Sequence, residues 1–334
     1  MTLAVGTKLD RHTTRPSTLV LAVASAAAFG TSGPFVKPLL EAGWSPASAV
    51  AVRAGFGGVV LLIPALIALA GRYRMLLSRW RLILTYGIVA VVGSQVFYFA
   101  AIERLPVGIA LLIEYLAPIL LVLLAWARTR AVPPVLTIIG AVVSIAGLVL
   151  VVKPTGTGGL DILGVMFALT AAVCVAGYFL ISARPTGQLP PVVLICSGLF
   201  AGALVLAVIG TAGLVPFTFS FEPVSLLGAD GIWWIAPMSV VVVVATAFAY
   251  LAGILSAAKL GSRVASFIGL LEVLFAILFA WWLLGEVPTP LQGLGGAFIV
   301  TGIILVKLER VPNRGHSGPS GAAARTDLVT HPIE

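Results

Sequence analysis

Residues 105–134 read LPVGIALLIEYLAPILLVLLAWARTRAVPP, and residues 260–289 read LGSRVASFIGLLEVLFAILFAWWLLGEVPT. Laid over each other and continued, they pair Leu105 with Leu260, Ala110 with Ala265, Leu116 with Leu271 and Trp126 with Trp281. Pro133 then meets Pro288, Gly140 meets Gly295 and Gly147 meets Gly302, all at the offset of 155 residues. Leucine matches are common between apolar helices. Trp, Pro and Gly recurring at one constant offset mark an internal repeat.

The chain around this repeat is 60% hydrophobic and only 10% charged, with a mean hydropathy of +1.13. A soluble domain carries roughly 25% charged residues, so lipid is the solvent here. A span needs about 20 apolar residues. Ten stretches qualify: 18–39, 46–70, 82–102, 106–127, 133–152, 160–182, 190–212, 232–257, 263–284 and 288–308. Short connectors rich in Pro and Gly, such as AGWSP, IERLP and GEVPTP, separate them, and only 213–231 is long. The first span contains an Ala-x-Ala pattern like that of a cleaved leader, but its removal would spoil the repeat. The repeat unit holds five spans, an odd number, so its second copy enters the membrane from the opposite face. The expected fold is therefore all-α integral membrane, ten transmembrane helices as two inverted five-helix repeats (17–153 and 160–308). A cytoplasmic tail (1–16) and a disordered cytoplasmic tail (309–334) flank them.

Lys and Arg orient the chain. With the N-terminus in the cytoplasm, sixteen of the 20 fall on the inner side. Lys37, Arg104 and Lys153 fall outside, and Arg53 lies within a span. The positive-inside rule then places both termini in the cytoplasm of a multi-pass protein of the cell (inner) membrane. The net charge of +8 thus reflects orientation rather than nucleic-acid binding. Cys174 and Cys196 sit in apolar runs and imply no disulfide framework. His12, His316 and His331 lie in the polar tails, so no metal site and no cofactor is expected.

Three charged residues lie well inside spans: Arg53, Glu114 and Glu272. Each costs about 2.5–3.5 kcal/mol on insertion scales, so each needs a partner or a wet cavity. At 1.5 Å per residue, Arg53 and Glu114 lie at similar depths, about 10 and 12 Å from the outer face, and are expected to pair. Glu272 lies about 14 Å from Arg263 on the inner side. The pair is either purely structural or lines a transport cavity. In the cavity, Arg53 would grip a substrate carboxylate bidentately, and Glu114 would take its ammonium group or a coupling proton. Gly30, Gly33 and Pro34 interrupt the first span, and Thr31 and Ser32 add hydroxyls there. Gln95, Tyr98, Tyr178 and Tyr250 are further polar groups within spans. Gly293, Gly295, Gly296 and Gly302 favour close helix packing.

The chain resembles the drug/metabolite transporters of the EamA type. The likeness rests on AAFGTSGPFVKPLL, on ASAVAVRAGFGGVVLL with Arg53, on FYFAAIERLPVGIALLIEYLAPILLVLLAWA and on AKLGSRVASFIGLLEVLFAILFAWWLLGE. The third stretch, with Glu114 four residues before Pro118, looks most like the threonine/homoserine exporter branch. The resemblance implies inner-membrane efflux of amino acids or related metabolites, driven by the proton gradient. Two departures are Glu272-Val273, where many relatives read glutamate-proline, and the order Glu-Tyr-Leu-Ala-Pro in the fourth span. The expected partners are a small zwitterionic metabolite, a proton and membrane lipid, with a homodimer left open and no nucleic acid.

Multidrug and nucleotide-sugar carriage are the alternatives within transport. None of the five lysines follows a glycine, which excludes a P-loop ATPase. GTSG at 30–33 matches an intramembrane serine-protease pattern. However, that chemistry needs a base, and no span holds a histidine. Asp10, Asp161, Asp230 and Asp327 all lie in tails or connectors, so the chain is not read as an enzyme.

Overall fold

The structure, a computed structural model, describes residues 16–130, 132–152, 161–182, 189–226, 228–260 and 268–308. Both tails lie outside the described residues, with Lys8, Arg11, Arg15, Arg310, Arg314, Arg325 and the three histidines. So do Lys153, Arg184 and Arg263, the last being the reference point for the depth of Glu272.

Among the described residues the chain forms ten spans. The first comprises Pro16–Gly30 and Ser32–Glu41, the second is Pro46–Leu69, and the third is Trp80–Ile102. The fourth comprises Val107–Glu114 and Ala117–Thr129, the fifth is Val135–Val152, and the sixth is Ile162–Ser182. Pro191–Thr211, Ile235–Leu260, Leu271–Leu284 and Pro290–Leu308 complete the set. Seven are long and apolar enough to cross a membrane, and the fifth, ninth and tenth are shorter. Local chemistry sets the ends. Pro46 opens the second span behind Ser45, whose hydroxyl accepts the Ser48 N–H, and Gly285 closes the ninth in a left-handed conformation.

The repeat glycines show how the halves meet. A Cβ on Gly140 would lie 2.6 Å from the Gly302 carbonyl, and one on Gly147 would lie 2.5 Å from that of Gly295. Gly140 corresponds to Gly295, and Gly147 to Gly302, so the two contacts exchange partners across a pseudo-two-fold axis. The register pairs an early residue of one helix with a late residue of the other. The fifth and tenth helices are therefore antiparallel, and the second half is inserted upside down relative to the first. Small residues let the two backbones touch where lipid offers no hydrophobic drive for association. Gly293 and Gly296, also expected at packing positions, differ: nothing lies near Gly293, and Gly296 meets only Leu112.

Ten spans return the described chain to the membrane face from which it starts, here called the proximal face. The opposite, distal face carries the long connector, which among the described residues contains the only strands. Val224–Leu226 and Ala229–Ile232 form a small antiparallel hairpin. Ahead of it, the Trp44 indole donates to the Ser220 carbonyl at 2.6 Å, the Ser45 N–H donates to the Thr218 carbonyl, and the Thr218 N–H donates to Ser45 Oγ. Lys37, read from sequence as an outer-loop cation, lies inside the helix Ser32–Glu41 and pairs with Glu286 at 2.5 Å. Lys37 also donates to the Leu105 carbonyl at 3.2 Å, while Glu286 accepts the Val107 N–H at 2.7 Å. This knot ties together the distal ends of the first, fourth and ninth spans. Beneath it Val36, Leu39, Phe99, Ile102 and Val107 have no exposure.

A Gly302→Val substitution places a branched side chain against the Gly140 carbonyl and Ser144. It is expected to destabilise by about 1–3 kcal/mol, whereas Gly293→Ala, with open space around it, leaves stability unchanged. Thermal unfolding in detergent measures both.

Candidate functional site

Two helix breaks lie at the centre of the molecule. The fourth span stops being helical at Tyr115 and Leu116, directly after Glu114. Pro118 has no N–H to give the Glu114 carbonyl, so the break is written into the sequence. In the second half a turn at Leu270 precedes the helix Leu271–Leu284. The offset of 155 carries Tyr115 onto Leu270, so the halves break at corresponding positions. The third and eighth spans repeat the pattern with wide π-type turns, at Gly87–Gly93 and Val240–Phe248. Such turns recur at functional sites because the surplus residue re-aims its neighbours.

The break after Glu114, the turn before Leu271 and the π-type turn of the third span border a cavity of about 310 Å³. Arg53, Glu114, Glu272, Gln95, Tyr98, Tyr178 and Tyr250 all line it, drawn from both halves of the chain. So does Ser32, one of the two hydroxyls noted at the first-span break, together with Phe29, Tyr86, Tyr115 and Phe179, which carried no signal as site residues in the sequence. The cavity reaches toward the proximal face, since Tyr86 and Phe179 lie near the proximal ends of the third and sixth spans.

The expected ion pair between Arg53 and Glu114 is absent. The ion pairs among the described residues are Lys37–Glu286 and Arg104–Asp161. Arg53 instead serves as a hub. Its Nε donates to Thr246 Oγ1 at 2.8 Å, and its Nη1 donates to Ser32 Oγ at 2.9 Å and to Gln95 Oε1. Nη2 reaches the Ala245 carbonyl at 3.5 Å, and the Phe99 ring lies 5.7 Å from the guanidinium carbon. The π-type turn of the eighth span makes this possible. There Thr246 donates its own proton to Val241, five residues back, which leaves its oxygen free to accept from Arg53. Thr246 carried no signal in sequence, because a buried threonine in an apolar run reads as packing.

The two acids are held differently. Glu272 occupies the first turn of its helix, where the positive pole favours a carboxylate, and accepts the Tyr115 hydroxyl at 2.7 Å. Glu114 ends the helix Val107–Glu114, at the negative pole, which favours a cation instead. Its residue is 7% exposed, and its carboxylate forms no hydrogen bond or ion pair with any described residue. Glu114 lines the cavity. The cavity, not an arginine, lets it persist in the membrane.

The first span is corrected in detail. It breaks at Thr31, whose hydroxyl turns back to the Ala28 carbonyl at 2.7 Å; Ser32, not Thr31, faces the cavity. Gly30 abuts the backbone of Ala276, and a Cβ on Gly33 would lie 2.6 Å from the Tyr98 hydroxyl. Both glycines serve close approach, and Pro34 is buried in the helix Ser32–Glu41.

The sequence profile of the EamA-like transporter family matches residues 16–153 and again 162–308. The chain belongs to that family. It is multi-pass, and the family's members are transporters rather than enzymes. A relative named "Uncharacterized transporter YwfM", from Bacillus subtilis (strain 168), is 25% identical over 280 residues, covering 83% of this chain and 89% of its own. A crystal structure of another protein superposes with a TM-score of 0.57 at 21% identity. It spans 87% of this chain and 96% of its own, and so shares the fold.

Arg53→Lys removes the planar fork that reaches Ser32, Gln95 and Thr246 together. Hydrogen bonds to charged groups contribute about 1.5–3 kcal/mol each, so Arg53→Lys and Arg53→Ala are both expected to lower the thermal midpoint by several degrees. A neutral result for Arg53→Lys in a thermal melt would refute the hub.

Proposed function

We propose that the chain is a secondary transporter that exports small amine-bearing metabolites, amino acids and their relatives, across the cytoplasmic membrane. The observation that carries this reading is Glu114. It is an unpartnered carboxylate at the negative pole of a broken helix, facing a cavity built from both inverted halves. Discontinuous helices at matching positions of two inverted repeats are how secondary transporters form sites near the midplane. Glu114 takes the substrate's ammonium group in one part of the cycle and a proton in the other, so the two exchange. The likeness to the threonine/homoserine exporter branch supports amino acids as cargo, and the Lys and Arg distribution supports cytoplasmic termini.

This reading takes transport to proceed by alternating access, and the different ends of the cavity support it. The Lys37–Glu286 knot and a buried layer stand on the distal side, while the cavity wall includes Tyr86 and Phe179 near the proximal ends of their spans. The structure is then read as the state open to the cytoplasm, and rocking of one half against the other must separate Lys37 from Glu286. A multidrug reading gains support from the lining, since Phe29, Tyr86, Tyr178 and Phe179 present aromatic faces that suit amphipathic amines.

In proteoliposomes with an imposed pH gradient, an amine-bearing substrate should move against the proton flow and stop when the gradient is collapsed. Glu114→Gln should abolish the coupling while the protein still purifies as a monodisperse species. Normal coupled transport by Glu114→Gln would sink the proposal.

Glu286→Ala frees Lys37 and should favour the distally open state. In a Cys174→Ala, Cys196→Ala background, a cysteine at Ser94 should then react several-fold faster with an impermeant thiol reagent applied from the distal side. An unchanged labelling rate would show that the knot does not close the cavity.

A further inference from the structure

The lining charges of the central cavity come from three different spans: Arg53 on the second, Glu114 on the fourth and Glu272 on the ninth. Arg53 lines the cavity but has little left to offer a ligand. A carboxylate binds arginine in fork fashion, using either Nε with one Nη or the two Nη nitrogens. The first fork is blocked because Nε is committed to Thr246. The second is blocked because both Nη1 protons are committed to Ser32 and Gln95. One Nη2 proton is directed at the Ala245 carbonyl, and the whole residue is 4% exposed. The guanidinium therefore contributes positive field but no free docking edge.

The acids are placed in the opposite way. Glu114 has both oxygens unengaged by described residues, and Glu272 spends one on Tyr115. With both acids ionised and Arg53 charged, the cavity holds one net negative charge. A single ammonium group balances it. A zwitterion would bring a third carboxylate into a low-dielectric site that already holds two, with no donor fork to receive it. Around the acids, Phe29, Tyr86, Tyr98, Tyr178 and Tyr250 supply ring faces and edges suited to a cation and a flat hydrophobic body. The volume of about 310 Å³ is at the lower end of small-molecule sites, roughly 300–1,000 Å³, and so suits a single-ring compound.

We propose that the cavity selects monovalent organic amines without a free carboxylate, in preference to the corresponding zwitterionic amino acids. This rests on the cavity being the transport site and narrows its cargo to the decarboxylated or carboxyl-blocked members of the amine class. Tyrosine, its methyl ester and tyramine share ring and amine and differ only at the carboxyl position, so they isolate the feature that the site rejects.

The test uses the full-length wild-type protein in proteoliposomes with a pH gradient, measuring uptake of labelled tyramine and its inhibition by the other two compounds. Tyramine and tyrosine methyl ester should bind at least about tenfold more tightly than tyrosine, since like-charge juxtaposition costs several kcal/mol. Glu114→Gln should erase the preference together with the binding, and Glu272→Gln should weaken it. The wild-type ratio decides the matter alone should either variant fail to fold. Equal or tighter binding of tyrosine overturns this inference and leaves the transporter reading intact. If none of the three moves and no other amine dissipates the pH gradient, the transport reading itself fails, and this inference with it.

Discussion

A backbone that stops being helical in the middle of a bilayer must find partners for its peptide groups, because hydrocarbon offers none. Among the described residues the protein does this at Tyr115–Leu116 and at Leu270, at corresponding positions of two oppositely inserted halves, and again at Thr31 in the first span. Much of the central architecture follows from that constraint. The two breaks must face each other or a wet space, so the halves enclose a cavity. Helix poles then point into it, negative beside Glu114 and positive beside Glu272. Acids that would be excluded from a continuous apolar helix become tolerable there.

Arg53 shows how a buried charge in such a place is managed. A direct ion pair with Glu114 would have satisfied both groups while removing both from use. Spreading the guanidinium over Ser32, Gln95, Thr246 and the Ala245 carbonyl instead ties the first, second, third and eighth spans into one unit. It also leaves Glu114 unengaged. The π-type turn of the eighth span is what brings Thr246 and Ala245 within reach. Its counterpart in the third span lies where Ala90, Ser94 and Gln95 enter the cavity wall. The irregular segments of the molecule are thus concentrated around the site, while the fifth and tenth helices, packed glycine to glycine, form its regular buttress.

The distal face adds a second constraint. Lys37, Glu286, the Leu105 carbonyl and the Val107 N–H satisfy one another at the ends of three spans from both halves. The hairpin-bearing connector hydrogen-bonds to the loop at Gly43–Ser45. The contacts on this side are polar and lie over a layer of tightly packed apolar side chains. The proximal side has the aromatic walls of Tyr86, Tyr178 and Phe179 instead.

Composition and periodicity alone determined the solvent, the ten spans and the repeat, because hydropathy is additive along the chain and an odd repeat unit forces inversion. The positions of Glu114 and Glu272 also marked where an acid would need shelter, whereas the breaks of the fourth and ninth spans were not expected; the only interruption expected was in the first span, at Gly30, Gly33 and Pro34. What only the tertiary structure decided is which polar groups meet. Depth along a helix is readable from residue count, but azimuth and side-chain reach depend on π-type turns and on how neighbouring helices rotate. Thus Arg53 and Glu114, matched in depth, do not pair, whereas Thr246 and Glu286, silent in the sequence, became partners of Arg53 and Lys37. Thr31 and Ser32, adjacent in sequence, point in different directions for the same reason. A linear pattern records how far into the membrane a side chain lies, and only packing determines what stands beside it.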